Sequence, residues 1–123
     1  MIRQKIKGER EAEKLWRRLG GNGSYAGFWP AAYATARIVE EPELIAYVCK
    51  GLYIDTARNC GSSPERVERN IRTLKERIWS DGDRELLAEI YGEEALKGKA
   101  PTNRIFLDVL ASYLRERMEE TEE

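Results

Sequence analysis

The segment 62–79 carries the side chains best suited to chemistry, because cationic and hydrogen-bonding groups recur on one side of a predicted helix. At about 100° per residue, the apolar stripe consists of Val67, Ile71, Leu74 and Ile78. Arg69 and Arg72 fall on the opposite side, with Glu68 beside them. An arginine fork can bond guanine N7 and O6 together, and a glutamate can accept from cytosine N4. We therefore expect these three residues to contact bases in the major groove of DNA.

Further polar residues around this helix are candidates for contacts with DNA phosphates, which position a protein on the duplex without specifying sequence. They are Arg58, Ser62, Ser63, Arg66, Lys75 and Lys99. The segment 66–77 has five basic and two acidic residues, whereas the whole chain has a net charge of −1. Because salt screens charges beyond about 8 Å, a local basic face can act on a nearly neutral protein. An ordinary solvated helix face with salt bridges would show the same pattern.

The residues before this segment favour a helix-turn-helix spanning about 52–79. A helix is predicted over 52–59, followed by a turn at Cys60 and Gly61. Ala57 is small enough for close helix approach, and Gly61 can adopt the left-handed conformation that a sharp turn requires. Either Ser62 or Ser63 can cap the second helix, since the first would form a capping box with Glu65 and the second would place Pro64 at the first helical position.

Apolar spacing predicts helices elsewhere in the chain, and no segment alternates as a strand would. The predicted helices cover 9–19, about 27–39, 43–59 with an optional break near Gly51, 84–91, and a last helix that Asn103 or Thr102 would cap. We expect an all-α fold, a single compact domain of about six helices over residues 1–123, with 1–8 and 119–123 frayed.

Catalysis and cofactor binding are not expected from this composition. The chain has no histidine, which removes the commonest general acid/base and metal ligand. Cys49 and Cys60 match no metal or redox spacing and are expected to be buried thiols. No pair of carboxylates stands out as a catalytic dyad. We therefore predict a protein that is not an enzyme, with no catalytic residues, no cofactor and no metal.

The chain also lacks the sequence features of membrane insertion and export. No apolar run approaches the roughly 20 residues that span a bilayer. The basic N-terminus is not followed by the apolar core of a signal peptide. We expect a cytoplasmic protein without membrane association.

Two stretches of the sequence resemble a known family. The first comprises Ser63-Pro64-Glu65-Arg66-Val67-Glu68-Arg69-Asn70-Ile71-Arg72 and the later Trp79-Ser80-x-Gly82. The second is Lys99-Ala100-Pro101-Thr102-Asn103-x-x-Phe106. Together they resemble the C-terminal effector domain of the stage-zero sporulation response regulator A, over about residues 9–118.

The resemblance implies an all-helical DNA-binding domain of about six helices. Its helix-turn-helix would bind a short box with a guanine-cytosine core, often in tandem copies occupied by head-to-tail dimers. By residue-level match, Glu68, Arg69 and Arg72 would contact bases, and Arg66 would lie at the mouth of the groove or on a phosphate. Double-stranded DNA is therefore the expected partner. RNA polymerase and a second copy of the chain are further candidates.

Two departures from the family pattern lead to an alternative to the DNA-binding function. The first eight residues cannot form a phosphoacceptor receiver domain, so we do not expect control by aspartyl phosphorylation within this chain. The region 81–94 is acidic, although the family tends to be basic near Asp81. If Asp81, Asp83 and Glu85 folded against the arginine face, the chain would be a protein-interaction module. It would then modulate a related regulator or RNA polymerase without strong DNA binding.

Overall fold

Six α-helices make up most of the structure, a computed structural model that describes residues 4–122. They are α1 Glu9–Leu19, α2 Phe28–Glu40, α3 Tyr53–Cys60, α4 Pro64–Asp81, α5 Arg84–Tyr91 and α6 Asn103–Glu122. No strand occurs between residues 4 and 122, so the predicted all-α fold of about six helices is confirmed. Residues 1–3 and 123, which belong to the segments expected to fray, lie outside the described residues.

The core is built around aromatic side chains from different helices. Trp16 of α1, Phe28 of α2 and Phe106 of α6 are all fully buried. The Trp16 indole N–H donates to Thr35 Oγ1 at 3.0 Å, which satisfies its only polar group. Its ring lies 5.6 Å from that of Phe106. Burial of large apolar rings contributes the dominant stabilising term of such a fold.

The segment before α3 is not α-helical, although a helix over 43–59 with an optional break near Gly51 was expected. Pro42–Tyr47 forms a 3₁₀-helix and Val48–Leu52 a π-helical turn, and regular α-helix begins only at Tyr53. Glycine is a poor helix former, and Gly51 lies inside the π-helical turn. Val48 and Leu52 nevertheless reach the core. Packing of these two side chains therefore determines the backbone here more than local helix propensity does.

Two glycines let neighbouring backbones approach α4, the helix that carries the candidate site. A Cβ atom on Gly27 would lie 2.2 Å from the carbonyl oxygen of Asn70, so only glycine allows the start of α2 to contact the middle of α4. A Cβ on Gly82 would lie 2.4 Å from the carbonyl oxygen of Leu19. The position of α4 is thus fixed by backbone contacts as well as by its apolar stripe.

Candidate nucleic-acid interface

A tight turn joins α3 to α4. Gly61 adopts the left-handed conformation with φ 64°, as predicted, and its N–H donates to the carbonyl oxygen of Ala57. The Ser62 N–H donates to the same carbonyl oxygen at 2.9 Å. Ser63 Oγ then accepts from the backbone N–H of Arg66 at 3.3 Å. The structure thereby selects Ser63 as the cap of α4 and places Pro64 at its first position.

Glu68, Arg69 and Arg72 lie together on the outer side of the first half of α4, while Val67 and Ile71 are fully buried behind them. Arg72 Nη1 lies 3.0 Å from Glu68 Oε2, an i, i+4 ion pair in which both side chains remain partly exposed. Arg69 is exposed, and its guanidinium has no hydrogen bond or ion pair with any residue between 4 and 122. The surface therefore presents one pre-oriented guanidinium and one available guanidinium side by side.

Asn103, at the start of α6, connects this surface to the rest of the fold. Its Nδ2 donates to the carbonyl oxygen of Glu68 at 3.0 Å and to the Tyr53 hydroxyl at 3.1 Å. The side chain is only 7% exposed. Thr102 performs the capping role, since its Oγ1 accepts from the Ile105 N–H at 3.3 Å. Sequence reasoning considered Asn103 only as a cap, because nothing local indicates a partner 35 residues away.

The candidate phosphate contacts separate into exposed and buried residues. Arg58, Ser62 and Arg66 are exposed around the turn, where the half-buried Ser63 uses its hydroxyl as the cap. Lys99 is exposed in the loop that leads into α6. The chain thus places basic side chains at the turn and at a second site near the Asn103 contact with α4.

Lys75 departs from the exposed position expected for a phosphate contact, because its side chain is only 4% exposed. It follows Leu74 and lies at the margin of the apolar stripe, where burial extends further around α4 than the helical wheel suggests. Burial lowers the pKa of the Lys75 ammonium, since the charged form loses hydration. No residue between 4 and 122 offers it a hydrogen bond or an ion pair.

The acidic residues at and after the end of α4 do not pair with the arginine surface. Asp81 is twelve residues beyond Arg69, which corresponds to about 18 Å along a helix. Asp83 caps α5 by accepting from the Leu86 N–H at 3.1 Å. Within the described part of the chain, no ion pair joins Asp81, Asp83 or Glu85 to an arginine of α4. The outer surface of α4 is thus left uncovered by this acid.

Neither cysteine forms a disulfide, and the expectation that both are buried is wrong. Cys49 is exposed and Cys60 is half-buried. Cys49 belongs to the π-helical turn, whose rotation relative to an α-helix was not foreseen. The residues that the structure describes contain no cluster of three or more side chains suited to hold a metal ion. None of the helices they form is long and apolar enough to cross a membrane.

The part of the chain that matches a known protein family includes this entire interface. The model described as "Sporulation initiation factor Spo0A C terminal" matches residues 12–114 of the 123-residue chain. The match includes α3, α4 and Asn103. The family is a DNA-binding, all-α transcription-factor domain that acts in sporulation, and not an enzyme family, as the motifs in 63–72 and 99–106 had indicated. Double-stranded DNA is accordingly its partner. The chain belongs to the family of the C-terminal domain of sporulation initiation factor Spo0A.

Proposed function

We propose that α3 and α4 act as a helix-turn-helix whose second helix enters the major groove and recognises sequence through Glu68, Arg69 and Arg72. The observation that carries this proposal is the outer surface of α4. There Arg69, unpaired among residues 4–122, lies beside an ordered Glu68–Arg72 pair, and Asp81, Asp83 and Glu85 form no ion pair with them. In such units the N-terminal part of the second helix contacts base edges.

Each of the three side chains suits a different hydrogen-bonding task. Arg69 has its full set of donors available for guanine N7 and O6. Glu68 holds Arg72 at 3.0 Å, which reduces the rotamer freedom that the arginine must lose on binding. The carboxylate retains acceptor capacity for cytosine N4. Together they match a box with a guanine-cytosine core.

Phosphate contacts would come from Arg58, Ser62, Ser63, Arg66 and Lys99. These residues lie on either side of the proposed groove-binding helix, at the α3–α4 turn and before α6. Lys75 is not included, because its largely buried side chain does not extend to a duplex on the outer surface of α4. Each phosphate neutralised on B-DNA contributes about −0.9 to the slope of log affinity against log salt.

The domain extent, the location and the further partners follow from the same proposal. Residues 1–123 would act as one domain with the helix-turn-helix at about 52–79, in the cytoplasm where chromosomal DNA is accessible. Tandem boxes would be occupied by two copies of the chain, and RNA polymerase would be contacted from the bound complex. The size of the family match supports the single domain, since it spans 12–114.

Binding to a labelled duplex with the guanine-cytosine box, beside a scrambled duplex, tests the proposal across a salt series. We expect preference for the box at every salt concentration. Arg58→Ala should weaken binding to both duplexes and reduce the salt slope by about 0.9. Arg10→Ala, on the exposed start of α1 and outside the proposed interface, should change neither. Weak binding without preference, even at low salt, would contradict the proposal and favour the protein-interaction module.

A further inference from the structure

A cavity of about 470 Å³ opens beside the proposed base-reading surface, between α4, the π-helical turn and the start of α6. Its size is within the range of about 300–1,000 Å³ that small-molecule sites occupy. Lys75 and Arg72 line it from α4, and Asn103 and Arg104 line it from α6. The cavity is not needed for the proposed contacts with bases, so its chemistry requires a separate explanation.

The buried Lys75 is the strongest indication of a ligand. Its side chain is 96% removed from solvent, yet the ammonium has neither a carboxylate nor a carbonyl partner within residues 4–122. The ammonium itself is accessible and lies at the cavity, where a partly dehydrated cation favours a counter-charge or several acceptors. The lowered pKa of Lys75 has the same origin. An anion in the cavity would supply the missing acceptors.

The remaining lining groups also favour an anion. Lys75, Arg72 and Arg104 carry positive charge, whereas Glu68 is the one acidic lining residue and is already paired with Arg72. The backbone N–H groups of Asn103 and Arg104, at the start of the 20-residue α6, have no acceptor within the described chain. Helix N-termini of this length attract anions.

The donors available around the cavity narrow the chemistry. The Lys75 ammonium and the two backbone N–H groups require several acceptor oxygens on one ligand. A phosphate group presents more acceptor oxygens than a carboxylate does.

We propose that this cavity binds the phosphate group of a small molecule between Lys75, Arg104 and Asn103. Arg72 lines the cavity and also belongs to the base-reading surface. If the proposed function holds, the ligand therefore competes with Glu68 for Arg72 and changes affinity for the box. Such a coupling is reciprocal, so DNA would change affinity for the phosphate by the same factor.

The site itself is tested without DNA, by titrating inorganic phosphate into the protein at constant ionic strength and following backbone amide resonances. Saturable shifts should be centred on Asn103 and Arg104, with sodium chloride producing none. Lys75→Met should weaken binding about tenfold or more, as expected for the loss of a charge-assisted hydrogen bond. Arg104→Ala, an exposed change that spares the core, should also weaken it, whereas Lys14→Met on the surface of α1 should not.

The result that overturns the proposal is an absence of saturable shifts, or shifts that are the same in wild type and Lys75→Met. A water molecule would then be sufficient to occupy the cavity. A titration with duplex DNA tests the other source of phosphate, which is the DNA backbone. If Lys75→Met abolishes duplex binding and free phosphate has no effect, a DNA phosphate occupies the cavity and the small-molecule proposal is wrong. If wild type does not prefer the box, the proposed function is wrong. The phosphate titration still decides whether the cavity binds phosphate.

Discussion

Arg69 and Lys75, which belong to different halves of α4, lie in opposite environments. In the first half, Arg69 is exposed and unpaired among the described residues, and Arg72 is held by Glu68. In the second half, Lys75 is buried, and Trp79 packs within 5.4 Å of Tyr91, measured between ring centroids. Arg69 is thus available to a partner, whereas Lys75 packs at the margin of the core. Charge density along a sequence therefore does not by itself identify a binding surface.

The contrast predicts its largest effect for Trp79→Ala. The ring packs against Tyr91 and Phe106, and its indole N–H donates to the Gly98 carbonyl oxygen at 3.1 Å. Removing it should lower the free energy of unfolding by about 3 kcal/mol, measured by urea denaturation. Arg69→Ala, in the exposed half, should remain within about 0.5 kcal/mol of wild type. Similar losses for both variants would show that the halves are not distinct.

The next largest effect is expected at Asn103, which joins the start of α6 to the first half of α4. Asn103→Ala removes hydrogen bonds to the Glu68 carbonyl oxygen and the Tyr53 hydroxyl. We expect a loss of about 1–2 kcal/mol in stability, together with weaker box binding under conditions where the variant is fully folded. Asn22→Ala, which alters an exposed loop contact to Ser24, is the matched control. Reduced stability with unchanged box affinity would show that Asn103 does not position the base-reading surface.

The effect on stability expected at Lys75 has the opposite sign. Because burial lowers the pKa of Lys75, the folded protein releases this proton at a lower pH than the unfolded chain does. Between the two pKa values the unfolded chain binds more protons, so stability rises with pH up to the ordinary lysine value of about 10.4. Below that window, the cost of burying the charge is fully present.

Lys75→Met should therefore raise the free energy of unfolding at pH 7 by about 1 kcal/mol and flatten its rise toward pH 10. Urea denaturation across this pH range measures both, with Lys14→Met as the control for removing an exposed lysine. A variant that is less stable than wild type, or that keeps the same pH dependence, would contradict the assignment of Lys75 as a largely buried lysine whose ammonium has no partner among the described residues.

Features encoded by neighbouring residues could be predicted from the sequence. The apolar period places α1 and α5 at the boundaries that the structure shows, and Gly61 adopts the predicted left-handed conformation. The choice between Ser62 and Ser63 as cap could not be made locally, because both are chemically suitable. It depends on the exact path of the turn, in which the Ser62 N–H is already used by the Ala57 carbonyl oxygen.

Features that depend on distant residues could not be predicted. The 3₁₀ and π-helical backbone over 42–52 follows from how Val48 and Leu52 fit the core. The burial of Lys75 and the bridging role of Asn103 both arise where the start of α6 meets α4, across a sequence separation that periodicity does not encode. The exposed residues of the candidate site were thus predicted, whereas the buried residues that hold this surface in place were not.

The most direct test of base recognition compares wild type with Arg69→Ala on the guanine-cytosine box and on the scrambled duplex at one fixed salt concentration. The account predicts a loss of about 1–3 kcal/mol on the box, a much smaller loss on the scrambled duplex, and relaxed preference at a single base pair. An equal loss on both duplexes would contradict it, because Arg69 would then contribute only charge.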